Sequence, residues 1–142
     1  MQKKKVTTIV LIAIAILIIL NVGRMVFVKT PVYSSEKIAL VEIYGPIYDS
    51  RKTVTLLEKY KDDKRIKAVL IRLDTPGGGV AASQEIYNAI NKLKKEKKKV
   101  VVSMGSVAAS GGYYIAAAAD KIYANPGTLT GSIGVIMEIP NV

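Results

Sequence analysis

Histidine, cysteine and tryptophan are absent from this chain of 142 residues, and only one phenylalanine is present. Without cysteine, no disulfide bond can stabilise the fold. Without histidine, a nucleophilic serine would need another general base to accept its proton. The length allows one domain at most, and we expect no metal and no cofactor.

Charged residues are absent over eighteen positions from Val6 to Gly23. About 20 apolar residues are enough to cross the hydrocarbon core of a bilayer. A cleaved signal peptide is the alternative, but bulky residues and the lack of a small-residue cleavage site favour an uncleaved anchor over residues 6–28. Lysines make residues 1–5 a basic tip, so the positive-inside rule predicts a single-pass protein of the cell membrane, with a cytoplasmic N-terminus and the following domain outside.

Acidic residues are fewer than basic ones, and the formal net charge is +10. Residues 92–99 hold six lysines and one glutamate, which is typical of the solvated C-terminal end of a helix. No interleaved aromatic residues and no nucleic-acid-binding motif accompany them. We therefore expect a solvated helix end and no nucleic-acid partner, and contact with anionic lipid headgroups is a minor alternative.

After a polar linker at residues 29–36, short apolar runs alternate with amphipathic segments. The pattern predicts strands at residues 37–47, 65–74, 100–104 and 121–125, helices at 51–60, 81–98 and 111–119, and a turn followed by the start of a strand at 126–138. Residues 68–71 are continuously apolar, as in a strand covered on both faces. Alternating strands and helices indicate an α/β fold with a largely parallel sheet.

Two glycine-rich loops follow predicted strands, "DTPGGGV" and "GSVAASGGY". Ligands of parallel α/β proteins bind beyond the carboxyl ends of the strands, so both loops should lie at one edge of the sheet. We therefore expect Gly77 and Gly78 to lie close to Ser110.

This arrangement suits acyl transfer. Ser110 could act as the nucleophile, and the backbone amides of Gly77 and Gly111 could stabilise the oxyanion of a tetrahedral intermediate. A purely structural tight turn remains an alternative. Phosphate binding is another, although neither loop matches a dinucleotide-binding or P-loop motif.

The segments "DTPGGGVAASQEIYNAI" and "GSVAASGGYYIAAAADKIYANPGTLTGSIGVIME", after a predicted anchor, resemble the signal peptide peptidase A family of serine peptidases, family S49. The resemblance covers residues 37–138. It implies the Clp protease/crotonase fold, a spiral of β-β-α units with a largely parallel sheet. It also implies cleavage of peptides, remnant signal peptides among them, at the membrane, and a homo-oligomer when the domain is complete.

The resemblance also implies roles for individual residues. Ser110 would be the nucleophile of a Ser/Lys dyad, and Gly77 and Gly111 would donate to the oxyanion. Gly78 and Ser132 are candidates to line the peptide cleft, although a turn role is the first expectation for Ser132.

The general base of this family is a lysine downstream of the "TGSIG" segment, and its pKa must be lowered by burial. Lys121 is the only lysine after Ser110, and the intervening helix would separate the two by about 16 Å. The sequence therefore predicts a partial peptidase domain at residues 37–142, truncated at its C-terminus. It would lack its general-base lysine and expose apolar surface.

Three other functions stay open. The chain could be an inactive anchored protein that binds peptides or other subunits, or a relative of the peptidases that accompany stomatin-like membrane proteins. An acyl-CoA hydratase or isomerase would share the fold, but it would explain neither Ser110 nor the anchor. Of the minor candidates, Asp74 is expected to have a turn role, and Tyr113 and Tyr114 are expected to pack.

Overall fold

The computed structural model describes residues 12–21, 36–137 and 139. The chain divides into two compact units, Met1–Ser34 and Ser35–Val142. In the first unit, residues 12–21 are helical (α1). Among the described residues no helix has the length and hydropathy that crossing a bilayer requires. The ends of the predicted anchor, at residues 6–11 and 22–28, lie outside the described residues, as do the basic tip and most of the linker.

The second unit is a parallel α/β sheet. Its elements are β1 (Lys37–Tyr44), α2 (Arg51–Asp62), β2 (Ile66–Thr75), α3 (Val80–Lys95), β3 (Lys99–Ala109), α4 (Gly111–Ala116), β4 (Lys121–Tyr123) and β5 (Leu129–Gly131). The strand order is β1-β2-β3-β4, β5 pairs with the far part of β3, and every pairing is parallel. The predicted α/β alternation and parallel sheet are confirmed.

The core lies on one face of the sheet because apolar residues alternate along the strands. On β2, Val69, Ile71 and Leu73 are fully buried. The buried stripe of α3 consists of Ser83, Ile86, Ala89, Ile90 and Leu93, and these residues recur at the spacing of one helix face. This packing fixes α3 against the sheet.

The other face of the sheet is more open than predicted. Residues 68–71 led us to expect cover on both faces, yet Ala68 and Leu70 are only half-buried. Beside them on β1, Ile38 and Leu40 are 74% and 52% exposed. Among the described residues, this face therefore carries apolar side chains at the surface.

The predicted loop at residues 105–109 is wrong, because β3 continues through it to Ala109. After Gly105 the strand gains a new neighbour, and Val107 lies opposite Leu129 of β5. Asp74 supports this change of partner, since its carboxylate accepts the Val107 N–H at 3.1 Å. A Cβ at Gly105 would lie 2.6 Å from the Asp74 carboxyl carbon, so Asp74 has a structural contact at the strand end.

Candidate active site

Ser110 lies between the end of β3 and the start of α4, in a backbone conformation that L residues rarely adopt. Its φ is 51° and its ψ is −119°, which costs on the order of 1–3 kcal/mol and persists only where neighbours hold it. The Ser110 N–H donates to the Gly131 carbonyl at 2.7 Å, and its carbonyl accepts the Tyr114 N–H at 2.9 Å. Backbone contacts on both sides therefore hold the half-buried Ser110 at this corner.

The first glycine loop is held in place by Ile47, which follows β1. The Ile47 N–H donates to the Gly77 carbonyl, and the Gly79 N–H donates to the Ile47 carbonyl, both at 2.8 Å. Together, these two hydrogen bonds form an isolated parallel bridge between Ile47 and Gly78. In such a bridge, the N–H of the central residue points away from the partner strand. The Gly78 N–H is therefore directed away from Ile47.

The two glycine loops are in contact, as the parallel topology predicts. A Cβ added at Gly77 would lie 2.7 Å from the Gly111 nitrogen and 2.8 Å from the Ser110 Cβ. A Cβ at Gly111 would lie 3.4 Å from the Gly78 nitrogen. Only glycine allows this approach, and at Gly77 the φ of 98° favours glycine as well.

Two buried hydroxyl residues that we did not predict support this contact. Thr75 is fully buried, and its Oγ1 accepts the Gly77 N–H at 3.1 Å. Ser83 is 2% exposed and donates to the Gly79 carbonyl at 3.0 Å, while its side chain lies directly against Gly111. The position of Thr75, directly after the end of the predicted strand at Asp74, is the sequence signal that could have suggested its role.

A cleft of about 250 Å³ opens beside Ser110. Its lining residues are Gly78, Val80, Ser83, Gln84, Ser110, Gly111, Tyr114, Ile133, Gly134 and Val135. Side-chain contacts support one wall: the Tyr114 ring stacks on Tyr87 with centroids 4.7 Å apart, and the Tyr114 hydroxyl donates to Gln84 Oε1 at 3.0 Å. The cleft is mostly apolar and lies next to a serine and backbone amides.

The remaining predicted residues lie at different distances from this cleft. Ser132 is exposed with φ 51°; it precedes Ile133 but is not itself among the lining residues. Tyr113 packs partly against the core, as expected. Lys121 lies opposite Val101 on β3, nine residues before Ser110, which corresponds to roughly 30 Å of strand. None of the residues that line the cleft is a lysine.

The fold and the cleft define a parallel α/β protein with a serine and glycine amides at the carboxyl edge of its sheet. The sequence pattern of Peptidase family S49 matches residues 92–142. The signal peptide peptidase SppA of Enterococcus faecium is 44% identical over 64% of the chain, and Protease 4 of Haemophilus influenzae is 42% identical over 73% of it. The chain belongs to the SppA-type peptidases of family S49.

A solved membrane-bound stomatin-specific protease has a similar structure, with a TM-score of 0.61, 26% identity and 75% of this chain covered. The same protease in complex with a substrate peptide gives a TM-score of 0.59 at 29% identity, with 72% of this chain covered. The chain spans 26% of the Enterococcus protein and 18% of the Haemophilus protein. It spans 52% and 48% of the two solved chains.

Proposed function

We propose that this chain is part of a membrane-anchored serine endopeptidase that cleaves peptides at the membrane, with Ser110 as the nucleophile. The observation that carries the proposal is the contact between the Gly77–Gly79 loop and the Ser110–Gly111 corner. It brings a strained serine and two sets of backbone amides to one cleft. The SppA-type relatives and the solved stomatin-specific protease support a peptidase reaction.

In the proposed reaction, the Ser110 hydroxyl attacks the carbonyl carbon of the scissile peptide bond. Its proton passes to a general base, and the carbonyl oxygen becomes an oxyanion that backbone N–H groups stabilise. The Gly111 N–H, directly after the nucleophile, is one donor. The base then returns the proton to the departing amine, which leaves an acyl-enzyme that water hydrolyses.

The second donor is better assigned to Gly78 than to Gly77, which the resemblance favoured. The Gly77 N–H already donates to Thr75 Oγ1 at 3.1 Å. The Gly78 nitrogen faces Gly111, and Gly78 lines the cleft. In this assignment, Gly77 lets the two loops approach and Gly78 supplies the hydrogen bond.

The cleft is suited to a peptide with an apolar side chain. Val80, Ile133 and Val135 supply apolar surface at its rim and are 58%, 74% and 74% exposed. Remnant signal peptides, which are rich in apolar residues, are the substrates that we propose. The segment after Ser132 lines the cleft with Ile133, Gly134 and Val135, where it could contact such a peptide. A homo-oligomer of the whole protein and a Clp/crotonase-type spiral of the whole domain are part of the same proposal.

The general base that we propose is a lysine, and the described residues do not supply it at the cleft. Thirteen lysines lie among the described residues, and the residues that line the cleft include none of them. A second copy or a further segment of a longer protein could bring a lysine there.

Residues 1–142 on their own are therefore expected to show no Ser110-dependent peptide cleavage. General-base assistance contributes about 10²–10⁴ in rate, so turnover should fall to background even if Ser110 is correctly placed. Cleavage of an apolar fluorogenic peptide by the purified chain in detergent measures this, with Ser110→Ala as the reference. Robust Ser110-dependent cleavage would mean that a base lies within these residues, or in a second copy of them.

The N-terminal segment is proposed to remain on the protein as the anchor, which puts the domain outside the cell. The eighteen uncharged residues from Val6 to Gly23 support this. N-terminal sequencing of the protein extracted from membranes is expected to return the start of the chain. A mature start near residues 25–30 would show that the segment is a cleaved signal peptide.

An inactive peptide-binding or subunit-interaction protein is the second candidate. The absence of lysine from the residues that line the cleft favours it, because an unactivated serine would leave a binding cleft without chemistry. A fluorophosphonate probe separates the two functions, since only an activated serine reacts. A role beside stomatin-like proteins is a variant of the peptidase proposal, supported by the solved structural neighbour.

A further inference from the structure

Lysines crowd the end of the sheet at which the strands begin. In a parallel sheet all strands start at one end, and the helices that connect them finish there. Its basic residues are Lys37, Lys59, Lys61, Lys64, Arg65, Lys67, Lys92, Lys94, Lys95, Lys97, Lys98, Lys99 and Lys121. We call this end of the sheet, with these residues, the lysine face. Ser110 lies at the opposite end.

The charge of the domain is strongly polarised between its two ends. The lysine face has thirteen basic residues against six acidic ones, a net charge of +7. The acidic residues there are Glu36, Glu58, Asp62, Asp63, Glu96 and Asp120. The other described residues between positions 36 and 137 include three basic and four acidic ones, a net charge of −1. An anionic partner would therefore be attracted to one end only.

Acidic neighbours neutralise only part of the lysine face. Lys61 and Lys92 contact the Glu58 carboxylate at 2.6 and 2.8 Å, and their hydrogen bonds hold the pKa of Glu58 below its usual value. Hydrogen bonds from Arg65 likewise lower the pKa of Asp63. These acids are thus already ionised and paired near neutral pH, and most of the excess lysines remain uncompensated.

A depression of about 670 Å³ lies in this face, lined by Lys61, Asp62, Lys64, Ile66, Lys67, Glu96, Lys97 and Lys98. Lys98 has a structural role there, because its ammonium group donates to the backbone carbonyls of Tyr60 and Asp63. Of the ion pairs within 4.0 Å that the described residues form, none includes Lys64 or Lys97. Among the lysines that line the depression, these two are therefore the best placed to meet an external anion.

We propose that the lysine face binds anionic lipid headgroups at the membrane surface. The chain enters the sheet at this end, since β1 begins at Lys37. Lys37 follows the uncharged run, which ends at Gly23, by only fourteen positions. Lysine is a hydrated point charge that suits headgroup phosphates without fixed geometry. Docking would direct the Ser110 edge away from the bilayer, so that substrates would have to leave the bilayer before cleavage.

This inference rests on the proposed membrane location but not on peptidase activity. The test uses the full chain, reconstituted into vesicles of phosphatidylcholine alone or with about one third phosphatidylglycerol. Because the chain has no cysteine, Ile38→Cys can carry a fluorophore at the lysine face and Tyr48→Cys can carry one at the other end. Both side chains are exposed, at 74% and 86%. Quenchers attached to lipid headgroups then report which end lies at the surface.

We expect anionic lipid to quench the Ile38→Cys label several-fold more than the Tyr48→Cys label. Salt at about 0.5 M, which shortens the Debye length to a few ångströms, should remove the difference. The double variant Lys64→Glu/Lys97→Glu should weaken the binding of the lysine face to anionic vesicles, measured by quenching of the Ile38→Cys label, about tenfold or more. The matched double variant Arg51→Glu/Lys52→Glu, with the same charge change at the other end, should leave it unchanged.

Equal quenching at the two positions, or no dependence on phosphatidylglycerol, would overturn the inference. Stronger binding to a DNA duplex than to anionic vesicles would overturn it as well. If the N-terminal segment fails to insert, cosedimentation with anionic vesicles replaces quenching as the readout: salt-sensitive binding supports the inference, and a chain left in the supernatant contradicts it. Failure of the full-length protein to cleave peptides, with the expected quenching pattern, would contradict only the proposed enzyme function.

Discussion

Replacing Ser110 by alanine is expected to abolish peptide cleavage by the full-length protein and to leave its fold intact. The change removes the only atom that the proposed mechanism uses to form an acyl-enzyme, and loss of a nucleophile costs on the order of 10⁴ or more in kcat. The fold should survive, because the contacts that hold Ser110 are backbone hydrogen bonds to Gly131 and Tyr114. Cleavage of an apolar fluorogenic peptide and thermal unfolding measure the two effects.

Ser106→Ala is the matched control for this experiment. Ser106 is an exposed serine on β3, four residues before Ser110. It should keep kcat within about twofold, since surface substitutions of this kind rarely change stability by more than about 0.5 kcal/mol. Ser110→Ala with a tenth or more of the original kcat would contradict the assignment of the nucleophile.

Gly77→Val is expected to cause the second-largest loss of peptide cleavage. It should lower both kcat and the thermal stability of the domain. The new Cβ would lie 2.7 Å from the Gly111 nitrogen and 2.8 Å from the Ser110 Cβ. The backbone φ of 98° adds strain for a β-branched residue. The loops must separate, and misplacing one oxyanion donor costs about 10²–10³ in kcat. Kinetics on the folded fraction, together with the melting temperature, measure the outcome.

Gly79→Ala provides a control within the same loop. Its Cβ would make an ordinary contact, 3.5 Å from the Ile47 carbonyl oxygen, and its φ is −57°. We therefore expect Gly79→Ala to keep near-normal kcat and stability. If Gly77→Val unfolds the protein outright, Gly77→Ala tests the same contact with a smaller group. Normal kcat in the folded fraction of both Gly77 variants would argue against a role for this loop contact in catalysis.

Much of the fold could be predicted because local patterns agree with the packing. The apolar stripe of α3 follows helical periodicity, and its members Ile86, Ile90 and Leu93 are buried. The strand β2 was predicted to within one residue at each end. Strongly periodic elements of this kind can be recognised without knowledge of their partners.

The part of the fold that could not be predicted depends on contacts between distant residues. Residues 105–109 look like a loop because they are small and include Gly105. They form strand because Val107 and Ala108 pair with β5, more than twenty residues later in the chain. The open face of the sheet was missed for a related reason, since a continuous apolar run does not reveal which of its two faces is covered.

The candidate site was predictable in outline and not in detail. Parallel topology was enough to bring the loop of Gly77 to Ser110. It could not reveal which amide is available, because that depends on the hydrogen bond between the Gly77 N–H and Thr75 and on the bridge between Ile47 and Gly78. The positive φ of Ser110 is likewise a property of the folded corner.

Labelling with a fluorophosphonate probe tests most directly whether Ser110 is an activated nucleophile. The full-length protein is treated in its native membrane, digested and analysed by mass spectrometry. We expect one phosphonylated serine, Ser110, and protection of this residue by an excess of an apolar peptide that occupies the cleft. Absence of labelling at Ser110, or equal labelling of the exposed Ser106, would contradict this expectation.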